Sequence, residues 1–308
     1  MGPAVTLYTK PPLTLDDQVA QLQSRGMLGD PERMKRKLAV VNYYRLSGYW
    51  FPFKTGKGEE LAEGTTFETI WKRYCFDRQL RLQVLDAIER VEVAIRARLA
   101  YYHAHQYGAF GYADNEASLP DFSSLDYRQH FAEAVTDDSR RSKERFVEHY
   151  NQQYSEQNGV LPVWIFAEVT SLGTLCRFYS ACPRKIRQQV ASTFNVNEGV
   201  LESWMISLNS TRNICAHHGR LWNRILPMKP VMPRQKKRPE WHSPVVVGNK
   251  RIFGSLTILG YLLSLIAPKS QWKARVVALI DAHEDIPTLD MGFPPGWRDS
   301  SLWALGND

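Results

Sequence analysis

Apolar residues recur at intervals of three and four positions along most of this chain, a spacing that places them on one face of an α-helix. The longest such run covers residues 67–103, and it is carried by Leu80, Val84, Ile88, Val91 and Ile95. Only residues 244–247 contain a short β-branched run of the kind that favours a strand. The pattern therefore predicts an all-α fold.

Two short helices are predicted near the N-terminus because each begins with a capping residue. Residues 15–25 follow Thr14, and residues 31–40 follow Asp30, with Pro31 at the first helical position. A threonine or aspartate side chain accepts a hydrogen bond from the first backbone amides, and proline lacks only an amide that would be unpaired there.

The remaining segments complete an expected three-part organisation. The aromatic stretch 42–53 is expected to pack on a core, before an exposed turn at 56–64. Residues 108–154 are polar, and we expect an insertion there with short helices near 128–134 and 142–152. Further helices are predicted at 162–178, 183–194, 200–209, 253–266 and 271–283. The expected domains are an N-terminal helical and aromatic segment packed on the core (1–60), a helical domain with the insertion (61–228), and a basic arm with C-terminal helices (229–308).

Charge makes nucleic acid the leading class of partner. The 39 Lys and Arg residues exceed the 32 Asp and Glu residues, for a formal net charge of +7. Five basic residues and three prolines fall within residues 229–240, a composition that predicts an extended, solvated arm. The apolar run at 252–266 is too short to cross a bilayer.

Other features argue for a cytoplasmic protein without a cofactor or a membrane partner. Residues 1–10 have no apolar stretch of the kind that secretion signals contain. The four cysteines have no paired spacing, which is typical of free thiols in a reducing compartment. No glycine-rich nucleotide loop, zinc-protease or serine-hydrolase motif occurs in the sequence.

The densest cluster of chemically useful side chains lies at residues 210–224, which include Arg212, Asn213 and His217. Metal-free RNA cleavage needs a base for the 2′-OH proton, an acid for the departing 5′-oxygen and a cation on the phosphate oxygens. Histidine transfers protons near neutral pH, and arginine grips a phosphate with two parallel N–H bonds. This cluster is therefore the candidate active site.

Spacing within the cluster suggests some relations and leaves others open. Asn213 and His217 are four residues apart, so on a helix the amide is placed to orient the imidazole. Arg212 and His217 are five apart and lie on different faces of a regular helix. Either the arginine side chain curls round, or the helix starts late, or the two residues act on a substrate held between two copies of the helix.

Structural alternatives accompany these assignments. His217 or His218 fits a core histidine bonded to a carbonyl, with Arg212 paired to Glu168 or Glu89. The histidine pair beside Cys215 also allows a metal site, although neighbouring helical side chains diverge. Along the long helix, Glu89, Glu92 and Arg96 share one stripe, which fits either a surface ion-pair ladder or a set of groups that position the active site.

The cluster resembles the signature of a known family. Residues 212–217 match the R-N-x-x-x-H motif of HEPN ribonucleases, and 215–224 (CAHHGRLWNR) resemble the Abi-like (AbiD/AbiF) abortive-infection proteins. Blocks at 44–50 (YRLSGYW), 76–81 (FDRQLR) with 89–92 (ERVE), and 161–164 (LPVW) with Glu168 resemble other blocks of that branch, in the same order. Together the resemblance covers about residues 13–230.

The resemblance implies a fold, an activity and partners. The fold would be a HEPN-type helical bundle with additional N- and C-terminal helices. The activity would be metal-independent RNA endonuclease action in phage defence, with kinship to the HEPN domains of type VI CRISPR ribonucleases. For some relatives it implies a small non-coding RNA that restrains the toxin, and a site formed where two motif helices face each other, hence a homodimer here. Carried over by position, Arg212 and His217 would be catalytic and Asn213 would support them. Further supporting candidates are His218, which has no settled role, Glu168, Glu89 and Arg96.

A second hypothesis is an RNA-binding module of a defence ribonucleoprotein that does not cut its RNA. Under either hypothesis the RNA-binding candidates are Arg220, Arg224, Lys236, Lys237, Arg238, Arg33, Lys35, Arg36 and Lys37. Charge runs of this kind are also typical of solvated helix faces. A nucleotidyl-transfer activity, as in some HEPN systems with a transferase partner, has no motif in this chain.

Overall fold

The protein is described from a computed structural model, which covers residues 11–56, 58–120, 125–154 and 160–305. Across these residues there are thirteen α-helices and several short 3-10 turns, and β-structure is limited to isolated bridges between Leu28 and Thr66 and between Lys54 and Leu61. The all-α prediction is confirmed, and residues 244–247 form no strand. The helices are α1 (Leu15–Ser24), α2 (Pro31–Val40), α3 (Tyr43–Trp50), α4 (Phe67–Tyr107), α5 (Gly111–Asp114), α6 (Leu125–Arg141), α7 (Arg145–Gln153), α8 (Val163–Val169), α9 (Leu172–Ala181), α10 (Arg184–Ser192), α11 (Glu198–Ala216), α12 (Ile252–Ile266) and α13 (Trp272–Asp281).

The chain forms two compact units, and the boundary falls after Gln79, within α4. In the first unit, both predicted helix caps are confirmed. Thr14 accepts a hydrogen bond from the amide of Asp17 at 3.2 Å, and Asp17 completes a reciprocal capping box. Asp30 caps α2 through the amide of Arg33. Local sequence therefore fixes where these two helices begin.

The aromatic stretch of the first unit is mostly helical, as α3. Leu46, Tyr49 and Trp50 are buried, whereas Tyr44 is exposed. The hydroxyl of Tyr49 donates to the buried carboxylate of Asp77 at 2.7 Å. A hydrogen bond of this kind satisfies a buried polar side chain and ties α3 to the first part of α4.

Helix α4 runs without a break for 41 residues. It ends where Gly108 adopts a left-handed conformation, at φ 78°. A glycine reaches this region without the steric cost of a side chain, so it stops the helix. The predicted rhythm of buried residues is confirmed, since Leu80, Val84 and Ile88 are each at most 2 % exposed.

In the second unit, the insertion is more helical than the sequence predicts. Helix α6 covers Leu125–Arg141, well beyond the predicted 128–134. The predicted helix at 162–178 is two helices, because α9 starts anew after Ser171, whose hydroxyl caps the amide of Thr174 at 3.2 Å. Asp138 of α6 accepts hydrogen bonds from Thr170 and Thr174 at 3.0 Å, which fixes this break.

The segment that follows α11 is not a free arm. The indole of Trp204 donates to the carbonyl of Val231 at 2.8 Å, and the hydroxyl of Ser207 donates to the carbonyl of Met228 at 3.1 Å. Pro230 and Pro233 are buried. Residues of α11 therefore supply partners for the backbone at 228 and 231, so this part of the predicted arm is held by the fold, whereas the predicted exposure is confirmed for residues 234–237.

The two C-terminal helices are present as predicted, and α12 is buried on every side from Ile252 to Leu263. Trp303 packs onto it, since its indole donates to the hydroxyl of Thr257 at 3.0 Å. Within the described ranges no helix combines the length and the apolar character that crossing a membrane requires.

His103 on α4 predicts a loss of stability in acid. It is fully buried against the rings of Tyr107 and Phe178, and neither ring nitrogen has a hydrogen-bond partner among the described residues. Burial lowers the pKa of His103 from its usual 6.5 to about 4. Between about pH 6.5 and pH 4, the histidine therefore binds a proton in the unfolded chain but stays neutral in the folded one. The free energy of unfolding should fall by on the order of 3 kcal/mol over this pH range.

Chemical denaturation across this pH range measures the effect. The substitution His103→Phe, which keeps the ring and removes both nitrogens, should flatten the dependence. The substitution of the exposed His149 on α7, His149→Gln, should leave it unchanged. An equally steep decline in the His103→Phe protein would refute this assignment.

Candidate active site at the end of helix α11

Helix α11 places the candidate catalytic side chains on its solvent face. Its buried stripe includes Trp204, Leu208, Thr211 and Cys215, which recur every three or four residues and pack inward. Residues 212, 213, 216 and 217 lie off this stripe and are exposed. The helix covers 19 residues, so the prediction that it ends near residue 209 is wrong. The last turns of the helix are rich in polar residues, so the apolar spacing that predicts a helix is weak there, although the backbone remains helical.

The helix ends in a tight turn that is built from the two histidines. His217 is the C-cap, and its amide donates to the carbonyl of Asn213 at 3.0 Å. The amides of His218 and Gly219 then donate to the carbonyls of Cys215 at 2.9 Å and Ile214 at 2.7 Å. These two bonds define a Schellman motif, in which the residue after the cap is left-handed. His218 occupies that position, at φ 56°.

A histidine in this position gives a prediction about stability. The left-handed region costs most side chains about 1–2 kcal/mol; asparagine, aspartate and histidine are enriched there, whereas a β-branched residue is strongly disfavoured. His218→Asn should therefore keep the turn. The free energy of unfolding of His218→Val protein should be about 1–2 kcal/mol lower than that of His218→Asn protein. Urea unfolding of the two variants makes the comparison. Equal stabilities would contradict the backbone strain assigned here.

The predicted contact between Asn213 and the imidazole of His217 is not formed. The amide oxygen of Asn213 accepts instead from the guanidinium of Arg212, at 3.4 Å. Among the described residues, the imidazole of His217 has no hydrogen-bond partner. The reason is that His217 lies at the C-cap, where the helix has already ended. Its ring is free to meet a ligand.

Arg212 is exposed and has no carboxylate within ion-pair distance in the part of the chain that is described. The alternative in which it pairs with Glu168 or Glu89 is therefore not observed, and both of those carboxylates are also exposed. Because α11 begins at Glu198, a late helix start does not explain the five-residue spacing to His217. A curled arginine side chain and a substrate between two helices remain as explanations.

Arg96 has an interior structural position. It is 7 % exposed, and its guanidinium pairs with Glu92 and donates to the carbonyl of Ala167 near the end of α8. Glu89, one turn earlier, is exposed. The buried position of Arg96 does not fit a surface ion-pair ladder, and its bonds to Glu92 and to the carbonyl of Ala167 fasten α4 to α8.

The side chains of the motif do not converge on a metal site. The thiol of Cys215 belongs to a residue that is 1 % exposed, whereas His217 and His218 are exposed. Over the described ranges there is no group of three or more His, Cys, Asp or Glu placed to hold a metal ion.

Arg81, a buried arginine on α4, contacts the turn at the end of the motif but is not among the predicted site residues. Arg81 is 5 % exposed, and its guanidinium donates to the carbonyl of Gly219 at 3.4 Å. It therefore supports the turn that carries His217 and His218. The two partners are 138 positions apart, so spacing in the sequence does not reveal the contact. The one sequence feature that could have pointed to Arg81 is its place in the FDRQLR block.

The predicted RNA-binding residues that follow the motif are partly engaged in the fold. The guanidinium of Arg220 lies 5.9 Å from the ring of Trp222, and that of Arg224 donates to the carbonyl of Arg220 at 3.5 Å. Lys236 and Lys237 are exposed. Solvation of the side chain was also expected for Arg238, but its guanidinium pairs with Glu240 at 3.3 Å and donates to the carbonyl of Asn195 and the hydroxyl of Tyr261.

The basic residues of α2 mostly make contacts within the first unit. Arg33 pairs with Glu68 and Lys35 with Asp16, each at 2.6 Å. The ammonium of Lys37 lies 4.4 Å from the centre of the Trp71 ring. Arg36 is exposed and forms no such contact with the described residues. Exposed pairs of this kind are worth at most about 1 kcal/mol and exchange readily with other anions.

Fold and site together define an all-helical protein that presents an arginine and a histidine at the exposed C-terminal end of one helix. Comparison with protein families finds a match to the family described as Abi-like protein over residues 36–223. The match covers more than half of the chain and includes the whole motif, and the chain belongs to this family. Neither curated proteins nor solved structures provide a match.

Proposed function

We propose that this chain is a metal-independent RNA endonuclease of the HEPN superfamily and of its AbiD/AbiF branch, with Arg212 and His217 as catalytic residues. Membership in the Abi-like family indicates a role in abortive infection, a form of bacterial defence against phage. The observation that carries the proposal is that both side chains are exposed at one end of α11, without a carboxylate or a hydrogen-bonded partner on the histidine among the described residues. An exposed arginine without a carboxylate partner suits a phosphate, and an exposed histidine without a hydrogen-bond partner suits a proton that is transferred.

The proposed reaction is an internal transesterification of RNA. The 2′-oxygen attacks the adjacent phosphorus as a base removes its proton, and the bond from phosphorus to the 5′-oxygen breaks as an acid protonates that oxygen. The products are a 2′,3′-cyclic phosphate and a 5′-hydroxyl. His217 transfers a proton, and Arg212 stabilises the charge that develops on the phosphate oxygens.

A base and an acid are both needed, and this suggests a second copy of the chain. Each copy supplies one His217, so two α11 ends that face each other would provide both proton-transfer groups. We therefore propose a homodimer with a shared site. Light scattering combined with an activity assay tests this point: dimeric active protein is expected, and an active monomer would contradict it.

The other proposed partner is a small non-coding RNA that holds the toxin inactive. The net charge of +7 suits a polyanionic partner of this kind. Purification of the protein from its host, followed by sequencing of the RNA bound to it, tests the idea. One abundant small RNA species is expected, whereas a random sample of cellular RNA would contradict it.

Cleavage in the presence of a chelator tests the proposed activity. Purified protein with EDTA should cut RNA and leave DNA of the same sequence intact, because DNA lacks the attacking 2′-hydroxyl. The basic surface residues favour a second candidate function, an RNA-binding module without cleavage. Salt-dependent RNA binding with no cut product would support that module and contradict the enzyme.

A further inference from the structure

A cleft rich in basic side chains lies at the opposite end of α11 from the motif. It has a volume of about 870 Å³ and is formed by α10, the start of α11 and residues 233–238. Its basic residues are Arg184, Arg187, Arg234, Lys237 and Arg238. These come from α10 and from residues 233–238, two segments that are distant in sequence.

The charges around the cleft are only partly balanced. Arg184 pairs with Glu198 at 2.8 Å, and Arg187 with Glu202 at 3.3 Å. Arg238 is likewise held by Glu240, as described above. Arg234 and Lys237 are exposed and have no carboxylate partner within the described ranges. Five cations therefore meet three carboxylates, and the cleft attracts anions.

The lining indicates what kind of anion fits. Among the described residues, no aromatic side chain lines the cleft, and the apolar lining consists of Val196, Val200 and Pro233. A base or a free nucleotide is usually bound by stacking on an aromatic ring, which this cleft does not provide. Arginine and lysine side chains grip phosphate oxygens without reading the base. The chemistry therefore suits a phosphodiester backbone.

We propose that this cleft holds the sugar-phosphate backbone of the RNA substrate at a distance from the cut. The inference rests on the proposed ribonuclease function and extends it. A helix of 19 residues spans about 28 Å, so one RNA molecule must continue for several nucleotides beyond the scissile phosphate to occupy both ends of α11. The cleft would thus favour long RNA over short fragments, whatever the sequence.

Binding measurements in a cleavage-deficient background test the cleft. In His217→Ala protein, the double substitution Arg234→Ala and Lys237→Ala should weaken binding of a labelled RNA of about 30 nucleotides by on the order of tenfold near physiological salt, and should lower the slope of log affinity against log salt by about 1.4. The matched control removes two other exposed charges, by Lys250→Ala and Lys269→Ala. That control should change affinity and slope little.

Two further results bear on the proposal. In protein with an intact His217, the cleft variant should lose much more of its cleavage rate on the long RNA than on a short RNA of about four nucleotides, since only the long RNA reaches both ends of α11. Equal affinities and slopes for the cleft variant and the control would overturn the proposal even if the enzyme cuts RNA. Displacement of the long RNA by AMP at a similar affinity would overturn it as well, because it would indicate a nucleotide pocket. Cleft-dependent binding without cleavage by the wild-type protein would instead reject the ribonuclease and leave the cleft as an RNA-binding site.

Discussion

Replacement of His217 by alanine is expected to lower the rate of RNA cleavage by about 10²- to 10⁴-fold, the usual contribution of a positioned proton-transfer group. The folded structure should be unaffected, because His217 is exposed and its ring makes no hydrogen bond to the described residues. Initial cleavage rates and thermal unfolding of the same preparations provide the two readouts.

A matched control separates this role from a general effect of losing a histidine. His149 is exposed on α7, in the insertion, and His149→Ala should cleave RNA at the wild-type rate. Undiminished cleavage by His217→Ala protein would remove His217 from the mechanism. The comparison with His218→Asn, which preserves the left-handed turn, then shows whether the neighbouring imidazole contributes.

Replacement of Arg212 by alanine is expected to slow cleavage by on the order of 10²- to 10³-fold, as for loss of one group that stabilises an oxyanion. Arg212→Lys should recover part of the rate, because lysine restores the charge but cannot form two parallel hydrogen bonds to a phosphate. The exposed Arg145 of α7 supplies the control, and Arg145→Ala should cleave normally.

The order of the cleavage rates, with wild type above Arg212→Lys and Arg212→Lys above Arg212→Ala, is the informative result. Wild-type rates in both variants would mean that Arg212 does not touch the reacting phosphate. Equal losses in the alanine and lysine proteins would mean that the forked geometry of the guanidinium, and not its charge, is what the reaction needs.

Local signals were sufficient for part of the fold. The caps at Thr14 and Asp30 and the apolar rhythm of α4 act within a few residues, so the sequence predicts these helices correctly. The break between α8 and α9 has one local signal, the cap of Ser171 on the amide of Thr174. Its other cause is Asp138, more than thirty positions upstream, whose carboxylate accepts hydrogen bonds from Thr170 and Ser171.

In the candidate site, too, some features follow from local sequence and others from distant contacts. The motif was found from residue types and spacing, and the buried stripe of α11 explains why its side chains face solvent. The tight turn at His218 depends on backbone hydrogen bonds that residue types alone do not reveal. The hydrogen bond from Arg81 and the basic cleft both depend on contacts between segments that are distant in sequence. The attachment of residues 228–231 to α11 could not be predicted for the same reason, because its partners, Ser203, Trp204 and Ser207, lie more than twenty positions earlier.

The chemistry of the cut ends tests the proposed mechanism most directly. RNA cleaved by the purified protein in EDTA should carry a 2′,3′-cyclic phosphate on one product and a 5′-hydroxyl on the other. A single 2′-deoxy substitution at the cut position should abolish cleavage there, because the attacking oxygen is absent. Products with a 3′-hydroxyl and a 5′-phosphate, or undiminished cutting at the deoxy position, would contradict a role for Arg212 and His217 in 2′-hydroxyl attack.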